Sequence, residues 1–271
     1  MLRLIVTEPA VIGTRPGPAR AGLASLNCLL RGLPLFFRAS PKTPLRVLCI
    51  IALDTLHVLR RSRPLPRERK QQLATFLDFQ ACTNAAWDGK PLCAVEYEAL
   101  RQRLETAGLG SWIAGYRDRL RELEADRPPT GGGDEGFHDV REYREAVARL
   151  ALATITAIAL DAACVEEGIQ ATHADRDVAT LFRLAMQCQI IDDVVDYRAD
   201  LSAGLPSFLT ASSPLPRALS LTAHAARSYA SPGRASGHGV LPLRLAAHVV
   251  AAVATVVVRV AQRRLLGFDG P

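Results

Sequence analysis

Aromatic residues are scarce in this chain: they make up 6% of its 271 residues, whereas hydrophobic residues of all kinds make up 49%. The apolar side chains are mainly Ala, Leu and Val, and they do not alternate with polar residues as they would along half-buried strands. This shortage argues against a sheet-rich fold with an aromatic core. Helical spacing with short breaks between segments predicts one all-α domain.

Paired cysteines are also missing, since none of the six cysteines forms a CxxC motif. Their scatter argues against a zinc site or a disulfide framework and favours reduced, buried thiols. No clean signal peptide is visible, because Glu8, Pro9 and Arg15 interrupt the early apolar residues. We therefore expect a cytoplasmic protein.

Long hydrophobic runs are absent as well. The longest run, Leu245 to Val258, is shorter than a bilayer span and contains His248. Basic residues flank it, namely Arg244 on one side and the segment 259–264 on the other, and they permit contact with a membrane surface. The sequence thus indicates a buried or interfacial helix, and at most a peripheral position on the inner face of the membrane.

Acidic residues are fewer than basic ones, and the formal net charge is +6. A basic balance suits an anionic partner, such as a phosphorylated ligand or an acidic membrane surface. No nucleic-acid-binding module and no basic stripe interleaved with aromatic residues is present, so we expect no nucleic-acid partner.

Helical periodicity divides the chain into three parts of one domain. Residues 1–64 combine an irregular start with helices that pack on the bundle, residues 65–210 form a core with both acidic helices, and residues 211–271 hold a loop-rich segment and a terminal helix. Residues 127–133 form the clearest loop, whose glycine run lacks the GK[ST] of a phosphate loop. The predicted helices span 21–37, 45–61, 66–86, 95–107, 112–126, 139–168, 175–201 and 243–266, with at most one more, 218–229, in the loop-rich segment.

The most informative stretch is Gln187 to Gly204. Asp192, Asp196 and Asp200 recur every four residues, and Asp193 lies beside them. Residues four apart share one face of a helix, where like charges repel and weaken it. A solvated helix face is the plain alternative, but a hard cation such as Mg2+ would relieve the repulsion.

A Mg2+ site that also binds a diphosphate needs a second ligand-bearing helix opposite, because each ion takes only one or two protein carboxylates. The candidate pair is Asn84 and Asp88, four residues apart in an otherwise apolar helix. Lys90 follows and could reach a phosphate. A helix C-terminus before Gly89 explains the same residues without a ligand.

These motifs together resemble the squalene/phytoene synthase branch of the class I isoprenoid synthases. The pattern of the second motif is present as Gln189, Asp192, Asp196 and Asp200, with Asp where the family often has Asn. The first motif, DxxxD, is matched by Asn84-xxx-Asp88, 108 residues before Asp196. The resemblance covers roughly residues 65–209 and includes a Tyr-containing helix in 142–155. The phrase QIIDDVVDY is also similar to the second aspartate-rich motif of trans-prenyl diphosphate synthases.

The resemblance implies an antiparallel helical bundle around a central apolar pocket. Mg2+ would bridge the two acidic helices to the diphosphate of an allylic substrate of the farnesyl or geranylgeranyl class, and its ionisation would lead to condensation or cyclisation. The implied metal ligands are Asp192, Asp196, Asp200, Asn84 and Asp88, with Asp192, Asp196 and Asp88 as the catalytic set. The implied substrate-binding residues are Lys90, Arg198, Tyr143 and Gln189.

Two other interpretations stay open. A non-catalytic relative with the same fold would bind a prenyl lipid or a protein partner without ionising it, as the neutral Asn84 in place of Asp suggests. A helical adaptor with an acidic surface helix belongs to another class. A core tyrosine and a surface arginine are the plain interpretations of Tyr143 and Arg144. A homodimer is compatible with each function.

Overall fold

A computed structural model describes residues 44–61, 63–89, 94–160, 175–231 and 241–266. They form nine helices and no strand, which confirms the all-α prediction. The helices are α1 (Pro44–Arg61), α2 (Arg67–Trp87), α3 (Ala94–Thr106), α4 (Gly110–Ala125), α5 (Gly133–Leu160), α6 (Arg176–Val195), α7 (Tyr197–Ala203), α8 (Leu215–Ala230) and α9 (Leu241–Leu265).

Helices α5 and α6 lie at the centre of the fold. Helix α5 packs against α1, α2, α4 and α6, while α6 packs against α1, α5, α8 and α9. Residues 152–159 of α5 are buried on every side. A helix that is apolar all round is a core helix, so the Ala-rich half of α5 is the axis on which the acidic segments are arranged.

The helix ends follow ordinary capping chemistry. The side chain of Asp175 accepts hydrogen bonds from the backbone N–H groups of Asp177 and Val178, at 2.9 and 3.2 Å, at the start of α6. Gly204 ends α7 in the left-handed region, with φ at 65°, which suits a residue without a Cβ.

Several predicted boundaries differ from the structure. Helix α5 begins at Gly133 instead of residue 139, and residues 161–168 lie outside the described part. Helix α8 extends the predicted 218–229 at both ends. The prediction of one continuous helix over 175–201 is wrong, because the chain bends at Asp196 between α6 and α7. The predicted helix 21–37 lies outside the described residues.

A buried loop joins α7 to α8. Residues 206–212 are all buried although they lie in no helix, and a buried loop must find partners for its backbone polar groups. The N–H groups of Gly131 and Gly132 donate to the carbonyls of Thr210 and Ala211, at 2.9 and 3.0 Å. The glycine run therefore packs closely against this loop.

Helix α9 is the most hydrophobic exterior element. Its segment Ala246–Leu265 is the one stretch of the described chain that is long and apolar enough to cross a membrane, and 11% of its most apolar window is buried. One side packs on α6 and α8 through Ala251, Ala254, Val258 and Ala261. The other side is left uncovered by the described residues.

Candidate functional site

The two acidic segments predicted from the sequence lie near each other. Asp88 ends α2 as its C-cap residue and pairs with Arg127, whose guanidinium lies over the Tyr143 ring. Arg144, the next residue along the chain, pairs with Asp193 near the end of α6. Burial raises the pKa of Asp193, and the nearby charge of Asp88 adds to that shift. The carboxylates of the two segments thus share one acidic region, which we call the acidic site and define as Asp88, Asp193, Asp196 and Asp200.

Asp193 is the most deeply buried member, with 2% of its surface exposed. Its Oδ1 accepts hydrogen bonds from Gln189 Nε2 at 2.7 Å and from Arg144 Nη2 at 3.2 Å. Its Oδ2 accepts the backbone N–H of Phe208 at 2.8 Å. Burial raises the pKa of Asp193, and these three donors oppose that shift. Asp193 therefore anchors the buried loop through the Phe208 N–H and also pairs with Arg144.

Arg127 links the other side of the site. Its Nη2 lies 3.0 Å from Asp88 Oδ1, and its Nε lies 2.6 Å from Glu124 Oε2. Tyr143 donates its hydroxyl to the other Glu124 oxygen at 2.8 Å, and the Arg127 guanidinium lies over the Tyr143 ring at 5.8 Å from its centroid. Burial and this hydrogen bond raise the pKa of Tyr143 above its usual range. These contacts hold Asp88 beside a fixed cation.

Asp200 is buried in the first turn of α7. Burial raises its pKa to about 6, and the charge of Asp193 adds to the shift. Arg144 and a hydrogen bond with Ser207 oppose it. The Asp200 carboxyl therefore changes its charge well above the usual range for an aspartate.

The three carboxylates of the predicted ridge are not equivalent. The backbone bonds from Asp196 N to Asp192 O and from Asp200 N to Asp196 O, 2.8 and 2.9 Å long, preserve helical spacing across the bend. Asp192 is nevertheless exposed, Asp196 is half-buried and Asp200 is buried. The row thus runs from the surface into the protein, and it does not form a uniform acidic face.

The other residues predicted for the site differ in their hydrogen-bond partners and in their exposure. Asn84 Oδ1 accepts the Tyr116 hydroxyl at 3.1 Å, Gln189 is a partner of Asp193, and Arg198 is exposed. Lys90 lies outside the described residues. Tyr143 is half-buried in the Glu124–Arg127 contacts. The substrate and metal roles of these residues stay predictions.

The donor chemistry of the acidic site fits Mg2+ only as an ion shared with a ligand. Carboxylate oxygens suit this hard cation. Within the described segments, no group of three or more potential ligands converges into a ready-made metal cage. An ion there would be held by one or two carboxylates, with Asp88 and Asp196 as the accessible ones, and completed by phosphate oxygens and water. Buried Arg144 Nε has no hydrogen-bond partner among the described residues.

Sequence reasoning missed the residues that organise the site. Arg144 was expected at the surface but pairs with buried Asp193, with 17% of its side chain exposed. Glu124 and Arg127, three residues apart at the end of α4, carried only a weak signal as a helical ion pair. Asp193 lay beside the regular spacing and was passed over for that reason, although an acidic residue flanked by apolar ones can indicate a buried charge.

A cavity of about 150 Å³ lies between α8 and α9, where Arg227 and Arg259 line it. It is a groove on the outer side of α8 and differs from the central apolar pocket that the resemblance implies. That central pocket stays a prediction.

In comparisons with known proteins, no family model, no curated protein and no solved structure matches the chain. The site must therefore be interpreted from its own chemistry.

Proposed function

We propose that the chain is an isoprenoid synthase-like enzyme that ionises an allylic prenyl diphosphate in the presence of Mg2+, for condensation or cyclisation. The observation that carries the proposal is the row of contacts that links Asp88, at the end of α2, to Asp193 on α6: Arg127 pairs with Asp88 and lies over the Tyr143 ring, and the adjacent Arg144 pairs with Asp193. Asp88 and Asp193 are far apart in sequence. Their meeting provides two acidic segments for one diphosphate.

The roles follow from exposure and charge. Asp88 and Asp196 are half-buried and accessible, so they are the residues that would hold metal. Bound Mg2+ would neutralise the diphosphate leaving group. Arg127 and Arg144 are fixed cations beside the carboxylates, and their positive charge would attract a diphosphate. Asp193 would then act as a positioning residue, because its oxygens are already occupied by protein donors.

A second candidate is a relative with the same fold that binds a prenyl diphosphate without ionising it. One observation favours it: the protein's own groups already engage the residues of the first motif. Arg127 pairs with Asp88 at 3.0 Å, and Tyr116 donates to Asn84 at 3.1 Å. A helical adaptor is less favoured, since Asp193 and Asp200 are buried and offer no acidic surface.

Release of inorganic pyrophosphate from farnesyl and geranylgeranyl diphosphate, measured with Mg2+ and with EDTA, tests the proposal. We expect release only with Mg2+. The Asp196→Ala variant should lower the rate at least a hundredfold, because one carboxylate then no longer serves the metal. Asp196 has a half-buried side chain, so the variant should fold.

The matched control is Asp118→Ala, which removes an exposed aspartate on α4 and should leave the rate unchanged. If the wild-type protein binds the diphosphates without releasing pyrophosphate under any condition, the non-catalytic relative replaces the enzyme. If Asp196→Ala releases pyrophosphate as fast as the wild type, the assignment of the acidic site is wrong.

A further inference from the structure

Helix α9 exposes a row of large apolar side chains. Val249, Val253, Val256 and Val260 are between 40% and 57% exposed, and their spacing of three and four residues puts them on one side of the helix. The buried small residues of α9 lie on the opposite side. Scattered exposed valines are common, but a continuous apolar row on one helix indicates a surface that meets an apolar partner.

Positive charge accompanies this row. Helix α9 contains no acidic residue over its whole length 241–265, and α8 contains none over 215–230. The exposed residues Arg259, Arg263 and Arg264 lie at the C-terminal end of the valine row. An apolar strip with arginines beside it is the composition of a helix that lies in the interface of a membrane.

The groove between α8 and α9 adds a polar site next to the valine row. Its cavity of about 150 Å³ is lined by Arg227 and Arg259 and by Ser220, Thr255 and Gln262, and no acidic residue of the described segments lines it. The Thr255 hydroxyl already donates to the Ala251 carbonyl at 2.8 Å. The two arginines, with Ser220 and Gln262, remain as donors of the kind that bind a phosphate group.

We propose that this surface, the valine row of α9 together with the Arg227–Arg259 groove, docks the protein on an anionic phospholipid membrane. The valines enter the boundary between headgroups and acyl chains, and the groove takes a lipid phosphate. The helix lies on the membrane and does not cross it, because its Ala251–Ala261 side is packed on α6 and α8. A second copy of the chain is a poorer occupant, since two faces without acidic residues repel each other.

Sedimentation of the full chain with lipid vesicles tests this inference. One set of vesicles contains phosphatidylcholine alone, and the other contains phosphatidylcholine with phosphatidylglycerol. We expect binding to the anionic vesicles only, and release at 0.5 M salt, because charge attraction at a surface is screened. Binding that survives alkaline carbonate extraction would indicate a membrane-spanning helix and overturn the peripheral assignment.

The variant Arg227→Gln with Arg259→Gln should weaken binding to anionic vesicles roughly thirtyfold, since each arginine near an anionic surface contributes about fivefold in affinity. The matched control removes two exposed arginines elsewhere, Arg103→Gln with Arg117→Gln, and should cost less than threefold. Equal losses in both pairs would mean that only net charge matters, which would overturn the groove.

Val253→Glu tests the apolar row, with Val95→Glu on exposed α3 as its control. Val253→Glu should reduce vesicle binding at least tenfold, while Val95→Glu should change it little.

Light scattering after size exclusion tests whether another partner covers this surface. If the protein does not bind vesicles and forms a dimer that Val253→Glu dissociates, the valine row is a dimer interface. Stabilisation by inorganic phosphate that requires Arg227, without vesicle binding, would make the groove a site for free anions. Either result overturns membrane docking.

Discussion

At the residue scale, Asp193 decides how the acidic site is organised. It is a buried carboxylate whose oxygens accept the Phe208 N–H and donors from Gln189 and Arg144. The three donors offset part of the cost of burying this charge, and losing the carboxylate leaves the Arg144 charge unpaired. Asp193 is therefore a residue of the fold as much as of the site.

Asp193→Ala should lower the free energy of unfolding by about 3–5 kcal/mol, because it strands the Arg144 cation and the Phe208 N–H. Urea denaturation followed by circular dichroism measures this change. The control is Asp139→Ala on the exposed side of α5, which should stay within about 0.5 kcal/mol of the wild type. A loss from Asp193→Ala as small as that of the control would show that the carboxylate does not anchor the loop.

Asp200 predicts a pH dependence of stability in metal-free protein. Its pKa in the fold is about 6, above the ordinary value of 3.8, because of burial and the nearby charge of Asp193, with Asp196 adding to the shift and Arg144 and Ser207 opposing it. Between these two pKa values the folded state therefore binds more protons than the unfolded state. The stability that comes from this extra proton on Asp200 is present at low pH and is lost as pH rises through 6. Asp193 has a raised pKa and acts in the same direction.

The variant Asp200→Asn removes this titration. Between about pH 4 and 6.5 the wild type should lose about 2 kcal/mol more stability than the variant does, as measured by urea unfolding in EDTA. The direction of this stability change with pH tests the raised pKa. If the wild type instead gained stability relative to Asp200→Asn as pH rises over this range, the raised pKa would be refuted.

At the element scale, the loop over residues 205–214 connects the acidic site to neighbouring elements through hydrogen bonds. The Asp193 carboxylate on α6 accepts the N–H of Phe208 in this loop, and the glycine run before α5 donates to two of the loop's carbonyls. The Thr222 hydroxyl of α8 donates to the Phe208 carbonyl at 3.1 Å. Three elements thus satisfy the polar groups of one buried loop. Gly136 near the start of α5 allows the close approach, because a Cβ there would lie 3.0 Å from the Ala211 carbonyl oxygen.

Gly132→Ala should destabilise the protein by about 2 kcal/mol, because a Cβ at that position would lie 2.8 Å from the Cα of Gly136, which is backbone and cannot move aside. Thermal unfolding measures the effect. Gly110→Ala is the matched control at a helix start, where the Cβ would meet only Glu105 Cγ at 3.8 Å. The control should be neutral or slightly stabilising, and equal effects of the two variants would refute the tight packing.

Helices were the predictable elements of this chain, because their apolar spacing is regular. The sequence spacing found α1 to α4 and α9 within two residues at each end, and the C-terminal position of Asp88 in α2 agrees with the capping alternative. The bend at Asp196 was not predictable, since its backbone keeps the helical bonds on both sides. The buried loop was not predictable either, because its residues resemble those of an exposed one.

The site was predictable only in part. The spacing of Asp88, Asp196 and Asp200 identified two segments that the fold brings near each other. Arg127 and Arg144, which supply the counter-charge, come from α5 and the loop before it, and nothing in their local sequence distinguishes them from surface arginines. Such pairings depend on how α2, α5 and α6 pack, and this is a tertiary property.

At the scale of the whole molecule, the central helices α5 and α6 connect the acidic site to the proposed membrane face. Helix α5 contacts α2, which carries Asp88, and α6, which carries Asp193. The outer side of α6 packs on α9, so the proposed membrane face and the acidic site share one supporting helix. A prenyl diphosphate is itself an amphipathic molecule, and membrane docking would bring the protein to where such substrates partition.

The most direct test of the central claim is a double-mutant cycle on pyrophosphate release, using Asp88→Asn, Asp196→Asn and the variant with both changes. If the two carboxylates serve one diphosphate, each single change should lower kcat/KM at least a hundredfold, and the double change should cost much less than the product of the two. Unfolding curves of all variants verify that they fold. Losses that multiply fully, or single variants as active as the wild type, would contradict the claim that α2 and α6–α7 form one site.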